Sequence, residues 1–268
     1  MLINQYCATF LPSNIVISGV NVAHASLVAA YENGEFPLSA KAPHFRQAIA
    51  AGAPQSSSEA DQYQPGRELY FTEKRYKDMS TKPWLENETI AAVGWLAKGA
   101  DSLKDYATAL VVQQLLDVSL EDGIRVPTDI DRGIRSFYSP YQTAGLFGVT
   151  VRAEPKNGVE TLKRALDIVA GSSQEKNIAK AVQRAVLRFY HDSVELRRDY
   201  ADFLATSIGA SRSAQERPAS AVIAAIKAVT FADAKAALDA SLSTAPCMYA
   251  TGEVEAFPSL RQLGLKQK

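Results

Sequence analysis

At 268 residues, with 47% hydrophobic and 22% charged side chains, the chain is long enough to bury a substantial core and too apolar to remain disordered. Its 29 Lys plus Arg balance 29 Asp plus Glu, which excludes an overall basic field for nucleic acid and leaves no acidic tail. The two cysteines, Cys7 and Cys247, stand at opposite ends and form neither a disulfide framework nor a metal spacing, which points to a reducing compartment.

The opening MLINQYCATF lacks the basic start and long apolar centre of a secretory signal, and it lacks the Arg- and Ser-rich character of a transit peptide. The expectation is a chain whose targeting segment was removed, or a mature fragment. A first strand is expected over residues 14–21, NIVISGVN, where β-branched residues crowd a short run after Pro12. A helix should follow at once, with Leu27, Ala30 and Tyr31 at helical spacing and Asn33-Gly34 as its stop. Residues 51–65, rich in Gly, Pro, Ser and Gln, read as an exposed loop that separates elements rather than domains.

GRELYFTEKR alternates as a strand, with Arg67, Leu69 and Phe71 on one face. In ETIAAVGWLAKG both faces are apolar: Ile90, Ala92 and Leu96 look one way, Ala91, Val93 and Trp95 the other. Such a strand needs helices on one side and another subunit or domain on the other. Its apolar run at 90–97 is far short of the ~20 residues of a membrane-spanning helix, so any membrane link is expected to be peripheral. After Gly99 comes the strongest helical pattern. Leu103, Tyr106, Ala107, Leu110, Val111, Leu115 and Val118 form a stripe, and Ser102 with Asp105 makes a capping-box pattern.

In SPYQTAGLFGVTVRAEP the glycines Gly145 and Gly148 raise the possibility of a phosphate cradle. Phe147, Val149, Val151 and Ala153 alternate with Gly148, Thr150, Arg152 and Glu154, so the glycines start a strand, and the next helix begins only after Pro155 and Gly158. A cradle needs its glycines between strand and helix, where amides face the anion. The phosphate reading fails on position. A helix over 159–170 buries Leu162, Ala165, Leu166 and Val169; residues 176–208 form two helices with a bend; a helix over 220–229 precedes another that Thr230 caps; and CMYATG closes as a strand. The order predicts one α+β layer domain over 1–268.

Little in the chain points to chemistry. His191 and Glu195 are four apart on a helix and could share a metal, but Arg188, Arg197 and Arg198 crowd them, no third ligand is evident, and a solvated ion pair is the simpler reading. His24 is expected to cap a turn, and His44 lies in an unpatterned stretch. Cys7 and Cys247 lack a paired base; Ser193 beside His191 and Asp192 is a sequence neighbourhood rather than a triad. The pair Glu121-Asp122 is ordinary for a helix end. Arg152, Tyr138 and Tyr141 are the polar groups that could point from a sheet into a cavity, or else pack at a surface. No catalytic, cofactor-binding or metal-ligating residue is assigned, and no cofactor is expected.

FLPSNIVISGVNVAHASLV resembles the segment of the mitochondrial processing peptidase and pitrilysin family in which a strand runs into a G-V-x-H-x-x-L helix start, with His24 at the histidine. YQPGRELYF is similar to its Y-x-G-G-E stretch, with Pro65 where the first glycine often stands. FYSPYQTAGLFGVTVRAEP resembles its aromatic segment leading into D-x-G-L-F-G, with Thr143 and Ala144 where an acidic residue is common. ADSLKDYATALVVQQLL, VTFADAKAALDASL and MYATGEVEAFP are similar to its long helix, closing helix and closing strand, so the resemblance runs from about Gln5 to Leu263. It covers the family's C-terminal half.

The resemblance implies an α+β fold, a mostly antiparallel sheet of five to six strands with helices packed on one face. It also implies a scaffold, since active members carry an inverted zinc motif H-x-x-E-H in their N-terminal half and this chain has none. The family's complex III core proteins pair two such halves on the matrix side of the mitochondrial inner membrane. The expectation is a non-catalytic structural subunit of that respiratory complex, partnered by its other subunits, including an N-terminal half or second core protein. The alternatives are the zinc-free, presequence-holding half of a processing peptidase and an accessory scaffold of another mitochondrial complex.

Overall fold

A computed structural model of the chain describes residues 16–33, 68–72, 89–123, 133–172, 175–210, 217–252, 254 and 257–265. Cys7, His44 and the expected loop at 51–65 lie outside the described residues. The elements in chain order are α1 (His24–Glu32), β1 (Glu68–Thr72), β2 (Thr89–Lys98), α2 (Leu103–Gly123), β3 (Arg135–Pro140), β4 (Ala144–Ala153), α3 (Pro155–Gly171), α4 (Ile178–Ser193), α5 (Arg197–Ala210), α6 (Ala219–Lys227), α7 (Phe231–Leu242) and β5 (Cys247–Gly252). The chain divides into two compact units, Met1–Gln62 with His191–Arg217, and Tyr63–Tyr190 with Pro218–Lys268.

The larger unit holds a five-stranded sheet in the order β1-β5-β2-β4-β3. Among the described residues only β1 and β5 run parallel; the other three pairings are antiparallel. This is the α+β, mostly antiparallel arrangement that the family resemblance implies. One face is packed under α2, α3 and α7. On it Val93 lies opposite both Val149 and Met248, and Ala91 opposite Val151 and Ala250, all of them buried. Trp95 pairs with Phe147 on the same face. Each large apolar side chain removed from water there contributes about 1.5–3 kcal/mol before entropy.

Helix α2 is the centre of this layer. Ser102 Oγ accepts from Asp105 N at 3.2 Å, which starts the helix as the Ser-Asp spacing predicts. The expected single apolar stripe is too narrow: Thr108, Ala109, Val112, Gln114, Leu116, Ser119 and Leu120 are buried as well. The cause is packing on several sides, since α2 meets β2, β3, α3, α6 and α7. Its buried hydroxyls bond back into the helix, Thr108 Oγ1 to Lys104 O at 2.8 Å and Ser119 Oγ to Leu115 O at 2.9 Å.

β4 begins at Ala144, three residues before the expected start, so Gly145 and Gly148 lie inside the strand. Close approach explains both. A Cβ on Gly148 would stand 2.1 Å from Val93 O and 2.8 Å from the Phe137 ring, and one on Gly145 would stand 2.6 Å from Lys98 O and 2.7 Å from the Tyr138 ring. β3 is an edge strand absent from the sequence expectation; Pro140 is tolerated at its end because an edge has one free side.

Helix α3 starts at Pro155 rather than after Gly158, since proline is tolerated in a helix's first turn, and it buries the expected Leu162, Ala165 and Val169 with Leu166 half-buried. α7 starts with a reciprocal cap: Thr230 Oγ1 accepts from Asp233 N while the Asp233 carboxylate accepts from Thr230 N. Lys104 Nζ lies 2.8 Å from Asp233 and ties the start of α2 to that of α7.

In the smaller unit the strand expected over 14–21 does not form at its described residues, 16–21. β-branched residues favour extended backbone, but a strand also needs a neighbour to pair with. Instead Ser18 Oγ donates to Ala201 O of α5 at 2.5 Å, and Asn21, at φ 61°, turns the chain toward α1. α1 half-buries Leu27, Ala30 and Tyr31 as its spacing predicts.

Candidate functional site

The histidines come first. His24 is the opening residue of α1, exposed, and the N-cap is Ala23 without a side-chain cap, so the expected capping role is not observed. His191 Nδ1 meets Glu195 Oε2 one turn later in an exposed pair. The two side chains pair with each other, as the spacing suggests, rather than with a third group. Among the described residues no three His, Cys, Asp or Glu side chains gather as a metal-ion cluster.

Tyr138, Tyr141 and Arg152 do not converge on one cavity. Tyr138 faces the helix layer, where its hydroxyl donates to Lys98 O at 2.9 Å and its ring lies 6.4 Å from that of Tyr106. Burial, reinforced by Tyr106 and Asp105, pushes its phenol above the ordinary tyrosine range. Tyr141 is exposed in the β3–β4 turn, whose backbone holds the β2–α2 junction: Ala100 N donates to Tyr141 O at 2.7 Å and Asp101 N to Gln142 O at 2.8 Å. Arg152 is exposed on the opposite face of the sheet, across from Ile90.

A cleft of about 600 Å³ beside α2 is lined by charged side chains, among them Asp117, Glu121, Arg184 and Arg188. Its acids are engaged structurally. Asp117 Oδ1 accepts from Ser136 N at 2.8 Å and lies 2.7 Å from Ser136 Oγ, and Glu121 pairs with Arg184 at 2.8 Å. The Glu121-Asp122 pair thus supplies an ion pair at a helix end.

The feature that stands out is the second face of the sheet. One row crosses all five strands: Leu69, Tyr249, Ala92, Thr150 and Arg135 lie successively opposite one another. A second row runs Cys247, Gly94, Gly148 and Phe137, and Leu96 lies opposite Leu146. Leu69 is 55% and Tyr249 41% exposed, and Ile90, Ala92, Leu96, Phe137, Leu146 and Cys247 are half-buried. A contiguous apolar surface of this kind marks an interaction face. The sequence shows that β2 is apolar on both sides but does not say which side is open; Ile90, Ala92 and Leu96 take the open side, and Val93 and Trp95 the packed one.

No protein-family model matches the chain. It is 23% identical over 262 residues, 98% of its length, to the mitochondrial ubiquinol-cytochrome-c reductase complex core protein 2 of Euglena gracilis. That match spans 52% of the relative, so the chain has about half the length of the curated protein it resembles. Two solved structures share the fold. A chain of complex III2 from Candida albicans, with Inz-5 bound, superposes with a TM-score of 0.58 at 13% identity, covering 82% of this chain and 55% of that one. The peptidase M16 inactive domain from Pseudomonas fluorescens gives 0.56 at 16% identity, with coverage of 87% and 58%. The chain therefore has the fold of an inactive peptidase M16 domain and is similar, along nearly its whole length, to core protein 2 of the ubiquinol-cytochrome-c reductase complex.

Proposed function

We propose that the chain is a non-catalytic core subunit of mitochondrial respiratory complex III that supports assembly on the matrix side of the inner membrane. The observation that carries this reading is the similarity to core protein 2 across 98% of the chain. The apolar open face of the sheet supports it, since a scaffold works through surfaces that other subunits cover. A second half-domain, on the same polypeptide or another, is the partner proposed for that face. Peripheral attachment fits the absence, among the described residues, of any helix long and apolar enough to cross a membrane.

Capture of the native chain from mitochondria in mild detergent tests the reading. Co-migration with b- and c-type haem absorbance is expected, together with protease protection in intact mitoplasts. A chain that runs apart from every haem-containing band overturns it.

A further inference from the structure

Within the larger unit a cleft of about 360 Å³ opens where α2 and α3 both end and α4 begins. That volume lies near the lower end of the ~300–1,000 Å³ of small-molecule sites. Ser119 and Asp122 line it from α2, Ile168 from α3, and Lys176 and Asn177 from the short turn that leads into α4. Side-chain bonds hold its walls together. Ser119 Oγ lies 3.3 Å from Ser172 O and joins the ends of α2 and α3, while Ser172 Oγ donates to Val169 O at 2.8 Å.

Three groups in this cleft are unengaged. Asn177 is only 8% exposed, and among the described residues its side-chain amide has no hydrogen-bond partner. A buried amide without a partner is costly, and a molecule in the cleft that both accepts and donates would satisfy it. The Asp122 carboxylate and the Lys176 ammonium are exposed on the same cleft, yet among the described residues neither forms an ion pair or a hydrogen bond, with the other or with a third group. Backbone dipoles reinforce the two poles: the carbonyl ends of α2 and α3 add negative character beside Asp122, and the start of α4 adds positive character beside Lys176.

We infer that this cleft binds a small zwitterion, an α-amino acid whose ammonium faces Asp122 and whose carboxylate faces Lys176 and the Asn177 amide. A simple anion or a simple cation fits less well, because each would meet one group of its own sign. Ile168, half-buried in the wall, favours a short aliphatic side chain on the ligand. The inference stands independently of the core-subunit reading.

Nuclear magnetic resonance titration of the isotope-labelled full chain tests this with three probes: alanine, propionate, which lacks the ammonium, and ethylamine, which lacks the carboxylate. Alanine is expected to shift the Asn177 side-chain amide and the backbone amides of Ser119 and Ser172 saturably, and each half-ligand should bind about tenfold or more weakly. Asp122→Asn and Lys176→Gln, both at exposed positions, should each weaken alanine binding by about tenfold, while Lys176→Arg keeps most of it. The dispersion of the amide spectrum checks that every variant is folded. No saturable shift with alanine, a half-ligand that binds as tightly as alanine, or alanine binding untouched by Asp122→Asn and Lys176→Gln overturns the inference.

Discussion

Gly148 lies directly opposite Gly94 across the β2–β4 pair, and the edge of the Phe137 ring covers both. A side chain at Gly148 has no room, because its Cβ would meet the Val93 carbonyl oxygen, a backbone atom, at 2.1 Å. At Gly94 the nearest atoms belong to the Leu146 side chain, at 3.0 Å, which can move. Gly148→Ala is therefore expected to destabilise the chain by ~1–3 kcal/mol, the usual cost of overpacking, and Gly94→Ala by less. Urea denaturation of both variants checks the order; equal midpoints would refute it.

Asp117 anchors the edge strand β3 to the central helix through the amide and hydroxyl of Ser136. Gln113 strengthens the same junction, its carbonyl lying 2.9 Å from Ser136 Oγ. Asp117→Ala leaves the part-buried Ser136 amide without its acceptor, which costs about 1–3 kcal/mol. Hydrogen exchange at Ser136 should accelerate more in this variant than exchange in β2. Uniform acceleration across the sheet would show a global effect instead.

The apolar period made much of this fold legible. α3 and the helices over 176–208 follow the apolar spacing of their sequences, and Thr230 caps α7 as its position predicts. β3 is hard to read because Arg135, Ser136 and Ser139 dilute the alternation; among the described residues it pairs with β4 alone, and an edge strand needs no apolar run. Residues 16–21 show the opposite case, since β-propensity describes a residue's fit to a sheet and cannot supply the neighbouring strand. The open face was half legible. Ala92 and Leu96 are as apolar as Ala91 and Val93, so alternation carries no sign, and only the packing of α2, α3 and α7 decides which set turns inward.

Stability should decline at both ends of the pH scale for identifiable reasons. The side-chain bond from Lys104, followed by those from Thr230, holds the Asp233 carboxyl down at about 2, below the ordinary 3.8 of the unfolded chain. Its contribution is present above the unfolded value and is lost as pH falls through about 2. Burial, followed by Glu68, pushes Tyr70 up to about 12, so its contribution is complete below the unfolded pKa of 10 and is lost as pH rises through about 12. Asp233→Asn should flatten the acid limb of the melting profile and Tyr70→Phe the alkaline limb. An unchanged limb in either variant contradicts the corresponding assignment.

Purified chain is expected to contain no stoichiometric zinc. His191 and Glu195 satisfy one another on an exposed helix end, and a structural zinc site needs four ligands. Elemental analysis after dialysis checks this. Zinc bound one to one, and lost on His191→Ala, would contradict the scaffold reading directly.

Neighbouring residues of β2 separate folding from assembly. Val93 is fully buried under the helices, opposite Val149 and Met248, so Val93→Asp places a desolvated carboxylate in the core and should cost several kcal/mol. Its failure to assemble would report only unfolding. Ala92, one residue on, is half-buried on the open face between Tyr249 and Thr150. Ala92→Asp leaves its carboxylate access to water in the free chain, so the urea midpoint should stay near that of the parent. In the assembled state the same carboxylate is buried against an apolar partner, and association should weaken by about tenfold or more. Native electrophoresis with parallel urea denaturation measures both. An Ala92→Asp chain as stable as the parent that still enters the haem-containing complex in full would show that no partner covers this part of the face.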